Sequence, residues 1–371
     1  MLIGIPKEIK SNECRVGLTP AGVHELIRAG HQVLVESDAG GLIGLTDELY
    51  RQSGADILDS AEEIYAQADI IVKVKEPQKK ECQWLHPGQV LFTFLHLAAS
   101  RELTQDLLES GASCMAYETV TGRNGDLPLL APMSEIAGRM SIQAGIHALE
   151  NPQGGNGTLL GGAVGVEPAK VVVLGGGVVG EQAARLSLCL GGDTTVIDKS
   201  LTRLRQLDTH FGPQMKTLFA SHDAVELAIN DADLVIGAVL IPGAKAPKII
   251  TKKMLRLIKP KAVLVDVSID QGGCFETSRV TTHENPTFVE QNIIHYCVPN
   301  MPGAVANTAT YALTNVTCAA IIGLANQGLK AALKKDKYLL KGLNIHEGKV
   351  THQAVATAHD YKYFDPIVIF S

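Results

Sequence analysis

Residues 170–198 constrain the fold of this chain more than any other segment. An apolar run, 171–174, leads into the glycine sequence GGGVVG at 175–180. A helix of small residues is predicted at 181–190, and a second strand, 194–197, ends on Asp198. This order of strand, glycine turn, helix, strand and acid is typical of a Rossmann unit that binds a dinucleotide.

The glycines and the acid have separate roles in such a unit. Gly175 permits the tight turn, Gly177 lets the backbone approach a pyrophosphate, and Gly180 allows close packing of the helix. The pyrophosphate would lie on the amides of the helix N-terminus, where the helix dipole is positive. Asp198 would accept hydrogen bonds from the adenosine ribose and repel a 2′-phosphate, which favours NAD over NADP. The alternative is a glycine-rich turn in an ordinary α/β protein, and the flanking strands and acid argue against it.

Composition narrows the class of protein. The motif begins near the middle of 371 residues, so the chain is predicted to have two domains. Hydrophobic residues at 46% and charged residues at 19% suit large buried cores, and the mild net charge of −6 gives no nucleic-acid or membrane signature. No apolar run reaches the length of a membrane span, and the N-terminus enters a strand rather than a signal peptide. Seven scattered cysteines without CxxC pairs predict reduced thiols in a cytoplasmic protein, with no zinc site or disulfide framework.

Alternating strands and helices before and after the motif predict an α/β chain of two Rossmann-like, doubly wound parallel-sheet domains with a cleft between them. The first domain is expected to be discontinuous, residues 1–128 plus 306–371, and to bind the substrate. Residues 129–305 are expected to form the NAD-binding domain, with six strands between 171 and 299. From residue 308 the pattern turns helical again, with helices predicted over 309–325 and 329–335, and this tail is expected to pack back on the first domain.

Polar residues at the carboxyl ends of the predicted strands are the candidates for chemistry, because ligands bind there in open α/β sheets. His96 follows the run 91–95 and suits proton transfer; the alternative is a buried histidine bonded to a carbonyl group. Lys75 could hold a carboxylate or carbonyl group, or be a solvated strand terminus. Arg15, in the first β–α loop, could bind a carboxylate through two hydrogen bonds or form a surface ion pair.

The second domain adds further candidates. Asp270 closes the predicted strand 263–270, near where a nicotinamide ring would lie, although Asp266 is an alternative. Cleft closure would bring Asp270 toward His96. Asn300 could hold the nicotinamide or its ribose, or belong to a simple turn. The chain contains no HExxH motif, GxSxG elbow or paired-carboxylate glycosidase spacing, which argues against a hydrolase.

Several short segments resemble the bacterial L-alanine dehydrogenases. The resemblance runs from residue 1 to about residue 350, and the last dozen residues match less clearly. The segments that carry it are IPKE at 5–8, ECRV at 13–16, KVKEP at 73–77, FLHLA at 94–98, LLAPMS at 129–134, DQGG at 270–273 and NMPG at 300–303.

The resemblance implies reversible oxidative deamination of L-alanine by NAD to pyruvate, ammonium and NADH. It implies that Arg15 and Lys75 bind the substrate and that His96 and Asp270 act in acid–base catalysis. It also implies a homohexamer. The cofactor contacts that carry over are Ser134, Gly175, Gly177, Val178, Val179, Gly180, Asp198, Arg203, Val239, Leu240, Val267, Ser268, Ile269, Asp270, Arg279, Val298, Pro299, Asn300 and Met301.

The chain departs from its relatives at a few positions. Arg203 stands where relatives often have Lys, which still supplies a cation. Ala220 stands where some relatives use a serine near the adenine. Some relatives also hold a metal on the late helix, where this chain has Ile322 and Asn326, so no metal is predicted.

Three alternatives to this reading remain. One is the nucleotide-binding subunit of the proton-translocating transhydrogenases, which shares this architecture but needs no amino-acid site. Another is an opine- or lysine-forming dehydrogenase of related fold. A catalytically silent NAD-sensing protein is the third. The presence of Arg15, Lys75, His96 and Asp270 favours the free-standing enzyme.

Exchange of Asp198 for Ala or Gly is expected to weaken the preference for NAD over NADP, because the carboxylate would no longer repel a 2′-phosphate. Dissociation constants for NADH and NADPH, measured on the wild type and the variant, test this expectation. An unchanged ratio of the two constants would refute the ribose assignment.

Overall fold

The computed structural model describes residues 1–239 and 246–370. Within these residues the strands are β1 (Leu2–Ile5), β2 (Gln32–Glu36), β3 (Asp56–Leu58), β4 (Ile70–Val72), β5 (Val90–Thr93), β6 (Ser113–Ala116), β7 (Lys170–Leu174), β8 (Asp193–Asp198), β9 (Lys216–Phe219), β10 (Leu234–Gly237), β11 (Val263–Asp266), β12 (Thr287–Glu290), β13 (Ile293–Tyr296), β14 (Leu343–His346) and β15 (Lys349–Val350).

The α-helices of the same residues are α1 (Pro20–Arg28), α2 (Asp47–Gln52), α3 (Ala61–Gln67), α4 (Lys79–Cys82), α5 (Arg101–Ser110), α6 (Ala131–Leu149), α7 (Val178–Cys189), α8 (Leu201–Phe211), α9 (His222–Ile229), α10 (Ala306–Gln327), α11 (Leu329–Lys335), α12 (Lys337–Leu340), α13 (Gln353–His359) and α14 (Pro366–Phe370).

The chain forms two compact units. Unit 1 contains Met1–Met133 and Val305–Ser371, and unit 2 contains Ser134–Ala304. The sequence placed the domain boundaries at 128/129 and 305/306. That unit 1 binds the substrate and unit 2 the cofactor remains a prediction at this point.

Unit 1 is built on an eight-stranded sheet of order β15-β14-β6-β5-β4-β1-β2-β3. The six strands from β6 to β3 are parallel. Their order is that of a doubly wound Rossmann sheet, in which the chain turns in opposite directions from the two central strands, here β1 and β4. The loops that follow β1 and β4 therefore flank a crevice at the carboxyl edge of the sheet.

Unit 2 repeats this order in a seven-stranded sheet, β12-β13-β11-β10-β7-β8-β9. Its central strands are β7 and β10, paired in parallel from Val171↔Leu234 to Leu174↔Gly237. The two-domain, doubly wound α/β prediction is confirmed. The six predicted strands are joined by a seventh, β12, which pairs antiparallel with β13 at the sheet edge.

The core of unit 2 explains why its central strand reads as a continuous apolar run. Val171 and Val173 pack in one buried cluster, and Val172 and Leu174 pack in another. Because neighbouring side chains of a strand point to opposite faces, both faces of this sheet are covered. A strand buried on both sides shows no polar alternation.

The tail of the chain is not entirely helical. Leu343–His346 forms β14, which pairs antiparallel with β6 and extends the sheet of unit 1. The sequence predicted helices over 309–325 and 329–335 and no strand in the tail. Four residues are too few to show a periodic pattern. The side chains of β14 are buried because the strand joins the edge of a sheet that cannot be recognised from the local sequence.

The segment that contains helix α10 differs from the expectation that no apolar run reaches the length of a membrane span. Met301–Gln327 is long enough to cross a membrane, and an 18-residue window within it has a mean hydropathy of 1.4, so it qualifies by length and composition alone. Core helices of soluble proteins pass the same test. Ala309, Leu313, Ile321 and Leu324 of α10 are buried within the structure, as in a helix that packs in a protein core.

Candidate functional site

The glycine turn of unit 2 has the geometry that a dinucleotide needs. Gly175 has φ +98°, in the left-handed region that favours glycine. A Cβ atom on Gly180 would lie 1.8 Å from the carbonyl oxygen of Gly175, whereas one on Gly177 would meet nothing within 4 Å. Gly180 is therefore required by packing inside the unit, and Gly177 leaves open space beside the N-terminus of α7.

Asp198 and Arg203 both hold this turn through Gly176. The Gly176 N–H donates to Asp198 Oδ2 at 2.7 Å, and Arg203 Nε donates to the Gly176 carbonyl oxygen at 2.5 Å. Arg203 also pairs with Glu181 in the first turn of α7. Loss of NAD affinity in an Asp198 variant thus has two sources, the ribose and the turn. Only the ratio of NAD to NADP affinity reports the ribose contact.

The other predicted cofactor residues are distributed over unit 2. The Ser268 hydroxyl donates to the Val239 carbonyl oxygen at 2.7 Å, which joins two of them across the ends of β10 and β11. The Arg279 guanidinium lies 4.2 Å from the centroid of the Phe288 ring. Val298 and Met301 are buried, Ser134 lies in the first turn of α6, and Leu240 falls outside the described residues.

Asp270 does not end a strand, contrary to the sequence prediction. Strand β11 stops at Asp266, whose Oδ1 accepts the Ser268 N–H at 3.1 Å and caps a 3₁₀ turn over Val267–Gln271. The apolar pattern continues through this turn, so it resembles more strand. Asp270 lies exposed in the turn, and its Oδ2 accepts the Asn300 N–H at 3.4 Å. Two predicted site residues therefore meet at the carboxyl edge of the sheet.

Asp266, the alternative to Asp270, has a structural role. It is 1% exposed, and its Oδ2 accepts the Cys274 N–H at 2.9 Å and the Ser278 hydroxyl at 2.5 Å. Burial raises the pKa of Asp266, although these hydrogen bonds oppose the shift. A carboxylate with these partners holds the loop 273–278, whereas Asp270 is accessible.

In unit 1, Arg15 is a buried cation rather than a surface one. It is 2% exposed, and its Nε and Nη2 donate to the two carboxylate oxygens of Glu13 at 2.6 and 2.5 Å. Its Nη1 lies 3.2 Å from Met133 Sδ. The surface ion pair considered from the sequence is thus replaced by a buried bidentate pair that fixes the guanidinium in the loop after β1.

Lys75 follows β4, across the crevice from that loop. Its N–H and that of Val74 donate to Glu8 Oε1, at 3.3 and 2.6 Å, so Glu8 ties the loop after β1 to the end of β4. Lys75 is half-buried, and its carbonyl oxygen accepts the Thr93 hydroxyl at 2.9 Å. Both predicted substrate-binding cations therefore lie in loops at the switch point of unit 1.

Lys73 lies beneath this edge, fully buried. Its Nζ is 2.8 Å from Glu81 and 3.2 Å from Glu8. Glu81 also accepts the Tyr65 hydroxyl at 3.2 Å. Burial lowers the pKa of Lys73, but the two carboxylates outweigh it and hold that pKa above its ordinary range. Lys73 is thus a structural cation, and Lys75 is the lysine at the crevice.

His96 lies three residues beyond the end of β5. Its backbone is left-handed, with φ +50° and ψ +38°, and its side chain is 49% exposed. The alternative of a buried histidine bonded to a carbonyl group is therefore wrong. The His96 N–H donates to Glu118 Oε1 at 2.6 Å. His96 comes from the loop after β5, next to β4 in the sheet, so it shares the carboxyl edge with Lys75.

Glu8, Glu13 and Glu118 are the residues that sequence reasoning missed. Each carboxylate fixes one predicted residue: Glu8 the backbone of Lys75, Glu13 the guanidinium of Arg15, and Glu118 the backbone of His96. Glu8 and Glu13 stand inside the IPKE and ECRV segments, which is the one signal that could have drawn attention to them.

The part of the chain that the structure describes contains no cluster of side chains suited to binding a metal ion. Residues 1–239 and 246–370 contain no group of three or more His, Cys, Asp or Glu side chains that could hold a metal ion. Asn326 of α10, in the region where some relatives hold a metal, has its Oδ1 2.9 Å from His31 Nε2. The prediction of no metal remains a prediction.

Comparison with known proteins gives a consistent result along the whole chain. Residues 4–137 match the family model "Alanine dehydrogenase/PNT, N-terminal domain", and residues 141–353 match "Alanine dehydrogenase/PNT, C-terminal domain". A curated alanine dehydrogenase from Halomonas elongata is 54% identical over 365 residues, covering 98% of each chain.

Solved structures agree with the sequence relatives. An L-alanine dehydrogenase is similar with a TM-score of 0.94 and 48% identity, covering 97% of this chain and 99% of that one. A transhydrogenase from Sinorhizobium meliloti has a TM-score of 0.80 at 24% identity, covering 95% and 100%. The second similarity shows the fold alone.

The stability of a Glu8→Gln variant relative to the wild type is expected to rise as the pH increases from 5 to 8. Burial raises the pKa of Glu8 above its ordinary value of 4.5, despite the opposing effect of Lys73. An acid with a raised pKa in the folded state loses its stabilising proton as the pH rises through that pKa. Gln cannot ionise, and its amide oxygen still accepts the Val74 N–H.

Urea unfolding at several pH values measures this difference. Lys73, Glu81 and Glu13 also act on Glu8, and all three stay in the variant. Glu102→Gln is the matched control, because Glu102 is 75% exposed and its offset from wild type should stay constant. A Glu8→Gln variant destabilised equally at every pH would show that Glu8 is an ordinary ionised partner of Lys73.

Proposed function

This chain belongs to the alanine dehydrogenase/PNT family, and we propose that it is an NAD-dependent alanine dehydrogenase that interconverts L-alanine with pyruvate and ammonium. The observation that carries the proposal is the chemistry at the two switch points. Unit 2 offers a dinucleotide turn, and unit 1 offers two cations and a histidine at the equivalent edge. An oxidoreductase for a small amino acid needs both sets of groups.

The residues of unit 2 fit NAD. The space beside Gly177 and the first-turn amides of α7 suit a pyrophosphate, and Asp198 suits a ribose with a free 2′-hydroxyl. Ser134, Val239, Arg279 and Asn300 are proposed as further contacts. NAD, when bound, supplies the acceptor for a hydride from the substrate α-carbon.

The cations of unit 1 fit the substrate carboxylate. Arg15 is held by two hydrogen bonds to Glu13, and Lys75 by the hydrogen bond from its backbone to Glu8. Because the Arg15 guanidinium is already held in place, binding a carboxylate there costs little side-chain entropy, and a second contact from Lys75 would give the carboxylate one orientation. Such binding would direct the α-hydrogen of alanine toward the cofactor.

His96 and Asp270 are proposed to move the protons. Loss of the hydride leaves the substrate as an iminium ion. His96, assisted by Asp270, removes a proton from water as the water oxygen bonds to the iminium carbon. The same proton then goes to the amine nitrogen, and the C–N bond breaks as the carbinol hydroxyl gives its proton to the now neutral His96. Ammonia leaves with pyruvate as the product, and the proton held by His96 passes to ammonia or solvent, which yields ammonium. In the reverse direction these steps run backward.

The alternative functions differ from alanine dehydrogenase in their substrates. A transhydrogenase-type subunit would exchange hydride between nucleotides, and an opine- or lysine-forming enzyme would need a second, larger amine or oxo acid. The similarity to the solved transhydrogenase is one of fold. The two cations, His96 and Asp270 support the alanine enzyme, because nucleotide exchange needs no site for an amino-acid carboxylate.

We also propose a cytoplasmic homohexamer that binds neither nucleic acid nor membrane. The seven cysteines are free, as in a reducing compartment. Leu159, Val164 and Val166 are exposed close together in the chain, at 69%, 106% and 64%, and an apolar patch of this kind suits a subunit contact.

Purified protein is expected to reduce NAD with L-alanine, and to oxidise NADH with pyruvate and ammonium. NADH absorbance followed across small L-amino acids, with NAD and NADP, is the measurement. Transhydrogenation between nucleotides, and reductive amination with lysine in place of ammonium, test the alternatives. No turnover of alanine would overturn the proposal.

His96→Ala is expected to lower kcat by roughly 10²–10⁴-fold, the usual contribution of a general acid–base group. Binding of NADH, measured by fluorescence, should not change. His86→Ala is a matched control, because His86 is an exposed histidine of the same unit. A loss of kcat below tenfold would remove His96 from the mechanism.

A further inference from the structure

Glu118 accepts hydrogen bonds from the backbone of the loop that carries His96. Its Oε1 accepts the His96 N–H at 2.6 Å, and both of its carboxylate oxygens lie 3.3 Å from the Leu95 nitrogen. The side chain of Glu118 is only 13% exposed, so the carboxylate is largely sheltered from water, and its bonds to Leu95 are partly buried. Charge-assisted hydrogen bonds of this kind are stronger than those between neutral groups.

These bonds hold His96 in a conformation that costs free energy. A left-handed backbone is uncommon outside glycine, and His96 has φ +50°. The two adjacent N–H groups of Leu95 and His96 point to one carboxylate in this conformation. The negative charge of Glu118 thus offsets the backbone strain at the predicted catalytic residue.

The imidazole ring also faces Glu118. His96 Nδ1 lies 3.9 Å from Glu118 Oε1, longer than a hydrogen bond but within the distance of an ion pair. The ring stacks on Phe94, with centroids 6.0 Å apart and planes 2° apart, and Phe94 packs edge-on against Tyr117. With Nδ1 turned to the carboxylate, Nε2 is the nitrogen left for the substrate.

The segment that carries Glu118 is itself fixed from the tail of the chain. The Thr119 hydroxyl donates to the Ala116 carbonyl oxygen at 3.2 Å and accepts a hydrogen bond from Asn344 Nδ2 at 2.7 Å. Asn344 lies in β14 and is 1% exposed. The position of the carboxylate is therefore set by a buried contact and not by a mobile surface loop.

We propose that Glu118 is a positioning residue for His96, which holds the His96 loop and stabilises the imidazolium ion that forms during turnover. This inference rests on the proposed function. When His96 Nε2 takes a proton from the attacking water, the ring becomes a cation beside the Glu118 carboxylate. When Nε2 gives that proton to the amine nitrogen, the ring is neutral again. Glu118 keeps its charge throughout and does not touch the substrate.

The test separates the charge of Glu118 from its hydrogen bonds. Glu118→Gln keeps an oxygen that can accept the His96 N–H but has no charge, and Glu118→Ala has neither. We expect Glu118→Gln to lower kcat roughly tenfold, less than the 10²–10⁴-fold loss expected when the group that transfers the proton is itself removed, with the KM values for alanine and NAD nearly unchanged. Glu118→Ala is expected to lose more. Glu102→Gln, an exposed substitution in the same unit, should leave all three constants unchanged.

A double-mutant cycle tests whether Glu118 acts through His96. If it does, Glu118→Gln will lower kcat in the wild-type background but not in the His96→Ala background. Equal losses in both backgrounds, or a Glu118→Gln variant with wild-type kcat, would overturn the inference. Turnover of alanine by the wild type tests the proposed function separately. If another small amino acid is the substrate, the same variants measured with that substrate decide the role of Glu118.

Discussion

Glu8 accepts the backbone N–H groups of Val74 and Lys75 and lies 3.2 Å from the buried ammonium group of Lys73. These contacts join the loops that follow β1 and β4, the two central strands from which the chain turns in opposite directions. The two strands are paired in the sheet, but the loops beyond them lead to opposite faces, and Glu8 ties these loops together at their base. The crevice of unit 1, with Arg15 on one side and Lys75 on the other, depends on this bridge. Removal of one partner would leave a buried charge uncompensated, which costs more than the pair contributes.

Unit 2 holds the loop after its first central strand with different groups. Its central strands are β7 and β10, and the turn after β7 consists of glycines, which supply no side chain for a bridge. Charged residues from outside the turn hold it instead: Asp198 accepts from the nitrogen of Gly176, and Arg203 donates to its oxygen. In unit 1 the loops after the central strands carry Arg15 and Lys75, the proposed substrate-binding cations. In unit 2 the turn after β7 is bare backbone, which a pyrophosphate can approach.

The sequence predicted what depends on local pattern. The glycine turn, Asp198 and the polar residues at the carboxyl ends of strands follow from spacing along the chain. The supporting carboxylates do not, because Glu118 is separated from His96 by 22 residues and Glu8 from Val74 by 66. The end of β11 was misplaced for a related reason: the cap that stops it is a hydrogen bond from Ser268 to Asp266, and the apolar residues Val267 and Ile269 continue the pattern of the strand. Strand β14 was missed since its partner, β6, lies more than 200 residues earlier.

The balance of charge at the crevice bears on what can bind there. The buried side chains include three carboxylates, Glu8, Glu13 and Glu81, against two cations, Arg15 and Lys73, and half-buried Lys75 is the third cation. Ionised throughout, this set is neutral. Burial raises the pKa of Glu8, however, so a proton is retained there more readily than on an ordinary glutamate. Lys73 has Glu81 as a second carboxylate partner at 2.8 Å, and Arg15 is paired with Glu13, so the buried cations are matched by carboxylates of the fold itself. Half-buried Lys75 lies at the edge of the crevice, where the carboxylate of the substrate is proposed to bind.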